Sequence, residues 1–378
     1  MTSAISVRTI TPAEHLAFVR ARESASFLQT PAWARVKSEW GAESVGFYAG
    51  AELVGAGLVL YRQLPRLRRY LAYLPEGPVL DWSRPDLAEL LAALAAHARA
   101  NGAFAVRIGA PVRARSWQAG TVKAAIAGKA GADDASGRLS DIPADDTTRL
   151  GRQVEQTLRS GGWKPLAAAG GFTAGQPKYV FQVPLAGRDE DAVLTGMNQL
   201  WRRNIKKAAK AGVEVRVSDG AQAIEDFHRI YLETARRDGF TPRPLTYFHS
   251  MHAALSAEDA DRIRIYLAHH EGDLVAATVG IRVGTHSWYS YGASTSHKRE
   301  VRGSNAIQWR MITDAMAAGA EIYDLRGITD TVDADDPTIG LIQFKVGTGG
   351  EAVEYVGEWD LPINGLLYKA FDLYMRRR

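Results

Sequence analysis

The chain has 378 residues, 46% of them apolar and 23% charged, a mixture that can fill the cores of roughly two domains. This composition excludes a wholly disordered chain, and the lack of cysteine excludes disulfides, zinc–thiolate sites and a cysteine nucleophile. The formal net charge of +4 permits an anionic partner without requiring one. Apolar runs are too short for a membrane-spanning helix and the first residues lack a signal-peptide pattern, so we expect a cytoplasmic protein.

Taken in chain order, the predicted elements repeat. Each half carries a helix, a hairpin, a strand, a second helix and a last strand. In the first half, the helices and hairpin are Pro12–Arg22, Phe47–Leu58 and Pro85–Ala100. In the second half, they are Ala221–Arg237, Leu267–Thr278 and Asn305–Ala318. Leu53 aligns with Leu274 and Gly102 with Gly319, so the spacing between the halves is nearly constant. This pattern predicts duplication of one α+β unit.

The order of these elements is similar to that of GNAT acyltransferases. It predicts an α+β fold of two tandem GNAT-like domains, whose mixed sheets are flanked by helices. We expect residues 1–165, completed by 355–378, to form the first domain and residues 166–354 to form the second. Residues 113–162 are small and polar without a clear period, which predicts a surface loop or mobile insertion.

Basic residues gather in three runs, at residues 62–69, 202–210 and 376–378. A single run of this kind is usually a solvated face. Three runs together favour a phosphate-rich ligand. In the first run the arginines alternate with leucines, a pattern that fits a strand-edge loop and contact with anionic lipid equally well.

Four ordered motifs cover nearly all of the chain outside residues 113–162. They are FLQTPAWARVK at 27–37, LWRRNIKKAAKAGVEVRV at 200–217, GASTSHKREVRGSNAIQWRMITDAMAAGAEIYDLRGI at 292–328 and LIQFKVGTGGEAVEYVGEWDLPIN at 341–364. Together they resemble the FemABX family of tRNA-dependent aminoacyltransferases, which build peptidoglycan interpeptide bridges. The resemblance is greatest to actinobacterial FemX-like members.

The resemblance implies transfer of an amino acid, preferably glycine, from aminoacyl-tRNA to a stem-peptide side-chain amine. The acceptor would be lipid II or UDP-MurNAc-pentapeptide, and a lipid-linked acceptor implies peripheral contact with the inner face of the plasma membrane. Because the ester is already activated, the reaction needs alignment and oxyanion stabilisation but no cofactor. The sequence shows neither a G-x-S-x-G elbow nor metal-ligand spacing, so hydrolase and metal chemistry lack support.

The resemblance also implies site residues. Phe344 and Lys345 match the family's Phe-Lys pair, which makes Lys345 a candidate cation beside the oxyanion or the tRNA terminus. A solvated lysine at a strand end is the other reading, and Phe344 could stack on a ligand ring or fill the core. Lys37 and Arg202 match positions that contact the pyrophosphate part of the muropeptide.

Further candidates are less distinctive. Arg203 and Lys206 extend the basic run. This run fits phosphate binding and a solvent-exposed helix face without a ligand equally well. Tyr73 and Tyr291 occupy equivalent strand ends, where they could hold the stem peptide or pack in the core. Some family members carry Asp where this chain has Gly109, so a carboxylate base from that position is excluded and proton removal by substrate groups or water is favoured.

Three alternatives stay open. An acetyl-CoA-dependent N-acetyltransferase needs a loop that binds pyrophosphate. In residues 300–305, however, Glu300 replaces the basic or amide residue of that loop and Asn305 replaces its small residue. A second alternative keeps the aminoacyl-tRNA donor and uses a small peptide acceptor, as in antibiotic biosynthesis or resistance. A third is a non-catalytic binder of tRNA or membrane, which would not need the Phe-Lys pair.

Overall fold

The computed structural model describes residues 4–128, 137–166, 175–218 and 220–376. The elements up to residue 126 are β1 Ile5–Thr9, α1 Pro12–Arg20, α2 Trp33–Val36, β2 Gly41–Ala49, β3 Glu52–Gln63, β4 Tyr70–Leu74, β5 Val79–Leu80, α3 Leu87–Ala100, β6 Ala103–Gln118 and α4 Ala119–Ile126. Those up to residue 258 are β7 Asp146–Thr147, α5 Arg149–Ser160, β8 Lys164–Pro165, β9 Tyr179–Pro184, α6 Glu190–Gly196, α7 Gln199–Lys210, β10 Glu214–Ser218, α8 Ala221–Asp238 and α9 Leu245–Glu258. The last are β11 Ile263–His270, β12 Asp273–Val283, β13 His286–Ser294, α10 Gly303–Ala317, β14 Ile322–Ile328, α11 Ile339–Val346, β15 Glu351–Pro362 and α12 Gly365–Arg376.

The chain divides into two compact units. Unit 1 comprises Met1–Ser116, Asp146–Lys178 and Glu354–Arg378, and unit 2 comprises Trp117–Asp145 and Tyr179–Val353. We propose that these units correspond to the two domains expected from the sequence, whose bounds stay a prediction.

Unit 1 is built on a mixed sheet in the order β1-β2-β3-β4-β6-β15. β2, β3 and β4 are antiparallel, and α3 connects β4 to its parallel neighbour β6. Leu87, Leu90, Leu91 and Leu94 recur at helical spacing, so one face of α3 is apolar and buried. That face packs in a core with strand residues such as Phe47.

Unit 2 repeats this arrangement in the order β9-β14-β13-β12-β11-β10. β11, β12 and β13 are antiparallel, and α10 connects β13 to its parallel neighbour β14. Fully buried Ile307 and Ile312 on α10 pack in the core of this unit with Tyr323 of β14. Within the described ranges, no helix has both the length and the apolarity needed to cross a bilayer.

The predicted duplication is confirmed by details of the two hairpins. The β2–β3 register shifts between Phe47 and Tyr48, and the β11–β12 register shifts at the equivalent pair, Ala268 and His269. Gly102 and Gly319, which follow the connecting helices, have φ angles of 78° and 74°. These left-handed conformations suit glycine because it lacks a Cβ. The mixed α+β fold with flanking helices is therefore confirmed for each unit.

The expectation of a loop or insertion over residues 113–162 is wrong where the structure describes them. β6 continues to Gln118, and α4 and α5 follow. The sequence hides these elements because their apolar positions are sparse: Val122 lies on α4, and Val154 and Leu158 lie on α5, all of them buried. Residues 129–136 of this segment lie outside the described residues.

Candidate functional site

Lys345 lies in α11 and is only 3% exposed. The structure therefore contradicts the reading of a solvated lysine at a strand end. Its Nζ donates a hydrogen bond to the carbonyl oxygen of Gly327 at 2.6 Å and approaches that of Arg326 at 3.4 Å. An ammonium can donate three hydrogen bonds, and the described residues provide no other acceptor for Lys345, so one N–H is left for a ligand oxygen.

The electrostatic setting of Lys345 is dominated by burial. Burial lowers the pKa of this ammonium to about 7, with the nearby Asp324 carboxylate opposing the shift and Arg326 adding to it. Asp324 is itself buried and accepts hydrogen bonds from Gln182 at 3.0 Å and from the Arg326 backbone N–H at 2.5 Å. Lys345 can thus exchange a proton near neutral pH.

The glycines after Lys345 allow the segment to pack closely. A Cβ on Gly347 would lie 2.2 Å from Cδ1 of Trp201, and one on Gly349 would lie 1.9 Å from the carbonyl oxygen of Gly196. Gly349 also has a φ of 76°, which disfavours a side chain. The GTGG sequence therefore fixes the end of α11 against the start of α7.

A cleft of about 350 Å³ opens beside Phe344 in unit 2. Trp201 and Phe344 line it, with ring centroids 4.8 Å apart, and the Trp201 indole donates to the Phe344 carbonyl oxygen at 2.8 Å. Asn198, Asn204 and Gln343 add amide groups to its wall. Aromatic faces with polar neighbours can stack and hydrogen-bond a nucleobase.

Cations surround this cleft. Lys298, Arg299 and Arg302 line it at the start of α10, and Lys298 forms ion pairs of 2.9 Å with Glu271 and Asp273. The candidate residues of α7 follow Trp201 along the helix: Arg202 is half-buried, while Arg203 and Lys206 are exposed. The sequence missed Arg299 and Arg302 as candidates, although both stand in the third motif.

Lys37 and Tyr73 both lie near the ring of Trp40 in unit 1. The Lys37 Nζ lies 5.7 Å from the centre of the Trp40 ring, and the Trp40 and Tyr73 rings are 6.4 Å apart. Lys37 also pairs with Glu39 at 3.6 Å. Lys37 thus belongs to unit 1, whereas Arg202 belongs to unit 2.

A buried carboxylate network adjoins Tyr73. The Tyr73 hydroxyl donates a short hydrogen bond to Oε1 of Glu358 on β15. Two residues further, Asp360 accepts two hydrogen bonds from Arg107 on β6, at 2.7 and 2.8 Å. Glu358 was not among the candidates predicted from the sequence; the signal that could have indicated it is an acidic residue within the mostly apolar strand VEYVGEWDLP.

Tyr291 lies in an aromatic cluster of unit 2. Its hydroxyl is 3.2 Å from that of Tyr247, and its ring packs edge-on against Phe248 and Tyr231 at 5.1 and 6.2 Å. Tyr291 and Tyr73 thus occupy equivalent strands in different surroundings, one aromatic and one charged. Among the described residues, no cluster of His, Cys, Asp or Glu could hold a metal ion.

Comparison with known proteins gives matches along almost the whole chain. The FemAB family model matches residues 10–269 and 257–376. A UDP-N-acetylmuramoylpentapeptide-lysine N(6)-alanyltransferase of Weissella viridescens is 27% identical over 360 residues, covering 93% of each chain. A lipid II:glycine glycyltransferase of Staphylococcus aureus is 23% identical over 432 residues, covering 96% of this chain and 94% of its own.

Solved structures agree on the fold. The crystal structure of FemX superimposes with a TM-score of 0.79 at 22% identity, covering 97% of this chain and 99% of its own. A tandem GNAT protein from the clavulanic acid biosynthesis pathway gives a TM-score of 0.51 at 12% identity, covering 95% and 99%. The prediction of two tandem GNAT-like domains is confirmed at the level of the fold.

Proposed function

The chain belongs to the FemAB family, and from this we propose that it transfers an amino acid, in the first place glycine, from aminoacyl-tRNA to a peptidoglycan precursor. The acceptor is the stem-peptide side-chain amine of lipid II or UDP-MurNAc-pentapeptide. The relatives named above support this assignment, because one acts on lipid II with glycine and the other on the lysine of a UDP-linked pentapeptide. Both are matched over nearly their full length.

The observation that carries the proposal is the buried Lys345, which follows Phe344 of the aromatic cleft in the chain. Lys345 keeps one N–H for a ligand oxygen, and the neighbouring Phe344 lines the cleft. In the protonated state this N–H would stabilise the oxyanion that forms when an amine attacks the ester carbonyl. Phe344 and Trp201 provide stacking surfaces for the terminal base of the tRNA.

The basic residues of unit 2 support tRNA as the donor. Arg299 and Arg302 line the cleft, and Arg203 and Lys206 are exposed on α7. We assign these residues to the phosphates near the tRNA terminus. An acetyl-CoA donor has less support, because Glu300 stands beside the loop that would hold its pyrophosphate.

On the acceptor side, Lys37 and Arg202 are assigned to the pyrophosphate of the precursor, and Tyr73 and Tyr291 to its stem peptide. Lys37 is supported by its position beside Trp40, whose ring offers a face to a sugar or base. Tyr73 is supported by its contact with buried Glu358, because a carboxylate is a group that can recognise an amine.

A lipid-linked acceptor requires approach to a membrane, and unit 1 has a surface suited to it. Leu366 and Leu373 lie on the outer face of α12 and are 82% and 52% exposed. The opposite face of α12 packs through Phe371 on Phe104, with ring centroids 5.4 Å apart. The outer face of α12 therefore presents two exposed leucines to solvent, with the exposed Lys369 between them.

Basic residues border this helix. The Arg62 guanidinium lies 5.7 Å from the centre of the Phe371 ring, and the exposed loop that follows carries Arg66, Leu67, Arg68 and Arg69. Exposed leucines beside arginines match the chemistry of an anionic lipid surface. We propose that α12 and this loop, together the lipid-facing surface, rest on the inner face of the plasma membrane.

A vesicle assay tests this part of the proposal. The intact protein should sediment with vesicles containing phosphatidylglycerol and not with purely zwitterionic ones. L366E/L373E should abolish sedimentation, whereas L341E, which changes an exposed leucine of unit 2, should not. Equal sedimentation by the two variants would exclude the lipid-facing surface.

The transfer reaction is tested directly with purified protein. Radiolabelled glycyl-, alanyl- and seryl-tRNA are each combined with lipid II and with UDP-MurNAc-pentapeptide, and the masses of the products are measured by mass spectrometry. We expect a gain of one amino acid that RNase abolishes. A product formed only from acetyl-CoA would overturn the proposal, and transfer only to an unrelated peptide would favour the antibiotic-related alternative.

A further inference from the structure

The strand β14 carries a bulge between Asp324 and Gly327. These two residues pair with Gln182 and Val180 of β9, so two residues of β14 lie opposite one residue of β9. Inside the bulge Arg326 has a φ of 62°. This left-handed conformation is uncommon for residues other than glycine, and bulges of this kind usually have glycine there. Neighbouring groups must therefore hold Arg326 in this conformation.

The side chain of Asp324 holds the bulge. Its Oδ1 accepts the backbone N–H of Arg326 at 2.5 Å, which fixes the turn of the chain from within β14. Its Oδ2 accepts the Gln182 amide at 3.0 Å and lies 3.3 Å from Nε2 of His286 on β13. Asp324 is 1% exposed and both of its oxygens are engaged, so this carboxylate is committed to the protein interior.

The bulge directs its carbonyl oxygens to Lys345. The Nζ of Lys345 donates to the Gly327 carbonyl at 2.6 Å and approaches the Arg326 carbonyl at 3.4 Å. Among its described contacts, no hydrogen bond joins this Nζ to the Asp324 carboxylate itself. Asp324 therefore determines the position of Lys345 through the backbone that it holds.

We propose that Asp324 is a positioning residue for Lys345 in the transfer reaction. It fixes the carbonyl oxygens that orient Nζ, and its negative charge favours the ammonium form of Lys345. This inference rests on the proposed function, in which the ammonium form stabilises the oxyanion. All of the protein groups involved lie within unit 2.

Two opposite charges act on the buried Lys345. Burial lowers the pKa of its ammonium to about 7, an effect that the Asp324 carboxylate opposes and the Arg326 guanidinium strengthens. The helix α7 contacts α11 through the uncharged Trp201. The helix α4 also packs on α11, but its one charged residue, Lys123, is exposed. Asp324 and Arg326 are thus the charges that set the protonation of Lys345.

Asp324 itself is ionised at neutral pH. Burial raises the pKa of its carboxyl, but the hydrogen bond with His286 and the charge of Arg326 outweigh this effect, so the pKa lies below its usual value. Asp324 therefore stays negatively charged throughout the pH range in which Lys345 titrates. Removing this charge should lower the proton affinity of Lys345.

Titration of Lys345 tests the inference without reference to activity. Lysines are isotope-labelled at Cε, and the NMR resonance that disappears in K345M is followed with pH in the wild type, D324N and R326G. D324N removes the favourable charge, so the midpoint should fall by about one pH unit or more. R326G removes the opposing charge and suits the positive φ of residue 326, so the midpoint should rise.

The pH dependence of kcat should follow the same shifts. Because the ammonium form is required, kcat should fall as the pH rises through the midpoint of Lys345. This alkaline limb should move to lower pH in D324N and to higher pH in R326G. D314N is the matched control, because it removes a carboxylate of unit 2 that does not act on Lys345, and its limb should not move. A residue that only supports the fold would not give two opposite shifts.

The outcomes separate this inference from the proposed function. Transfer by the wild type together with an unchanged midpoint in D324N, or a shift of the same sign in D324N and R326G, would overturn the role of Asp324 and leave the proposed function intact. The expected midpoints without any transfer by the wild type would refute the proposed function itself.

Thermal melting shows whether D324N is folded. If it is not, the same substitution is made in R326G, where glycine adopts the positive φ without the support of Asp324. The midpoint of D324N/R326G should then lie below that of R326G, and equal midpoints would overturn the inference.

Discussion

The burial of Lys345 gives this residue a pKa suited to its proposed role but lowers the stability of the folded chain. Its pKa lies at about 7, whereas an unfolded lysine titrates near 10.5. Between these values the unfolded chain binds more protons than the folded one, so the stability of the wild type rises with pH across this window. Below about pH 7 Lys345 is charged in both the folded and the unfolded chain, so the free energy of unfolding is lowered by the full cost of burying the charge.

We therefore expect Lys345→Met to be at least as stable as the wild type at pH 7, because methionine fills the space without a charge. Its transfer rate should fall about 100-fold, as is typical when one oxyanion donor is lost. Denaturant unfolding from pH 6.5 to 9.5 and single-turnover kinetics measure the two effects. A variant that is both less stable and fully active would contradict the role given to Lys345.

Arg107 allows a second prediction, because the chain contains an exposed counterpart. Arg107 binds Asp360 through two hydrogen bonds in a buried pair, and Arg84 binds Asp86 in the same way, with both side chains about a quarter exposed. Arg107→Met should cost about 3–5 kcal/mol of unfolding free energy, since it leaves the buried charge of Asp360 without this cation and with the Tyr368 hydroxyl still donating to it at 2.8 Å. Arg84→Met should cost about 1 kcal/mol or less. Equal losses in urea unfolding would refute the distinction.

At the scale of elements, α11 depends on the glycines at its end. Gly349→Ala, just beyond α11, would place a Cβ 1.9 Å from a backbone oxygen at a φ of 76°, whereas Gly340, inside α11, has no atom within 4 Å of its added Cβ. We expect Gly349→Ala to destabilise the protein by about 1–3 kcal/mol and Gly340→Ala to stabilise it by about 0.4–1 kcal/mol. Thermal melting of the two variants tests these opposite changes in stability, and similar melting temperatures would contradict the packing explanation.

The hairpins were predictable because alternation and a glycine turn specify local pairing. The bulges at Phe47 and at Ala268 were not, since register shifts depend on contacts across the sheet. The helix α11 was missed because IGLIQFKV is a short apolar run, and such a run fits a buried strand or a buried helix. Glu358 was missed because its partner Tyr73 is remote in sequence, and only the folded chain brings the two together.

At the scale of the whole molecule, the mild net charge conceals local basic surfaces. The proposed contacts to tRNA phosphates would release counterions, so affinity for tRNA should fall steeply with salt. For about three phosphate contacts we expect a loss of roughly 20-fold between 50 and 200 mM salt. R203E/K206E should reduce both affinity and the slope, measured by filter binding with glycyl-tRNA. A flat salt response in the wild type would refute tRNA binding through these residues.

Unit 1 consists of three separate stretches of chain, and its last stretch, Glu354–Arg378, carries Glu358, Asp360 and α12. A ribosome must therefore synthesise the chain as far as residue 362 before this unit can acquire β15. A product that stops early lacks the partner of Arg107 and leaves the edge of β6 open, which marks it for proteolysis. Premature termination thus yields an unstable fragment rather than a half-competent enzyme that could bind a substrate without converting it.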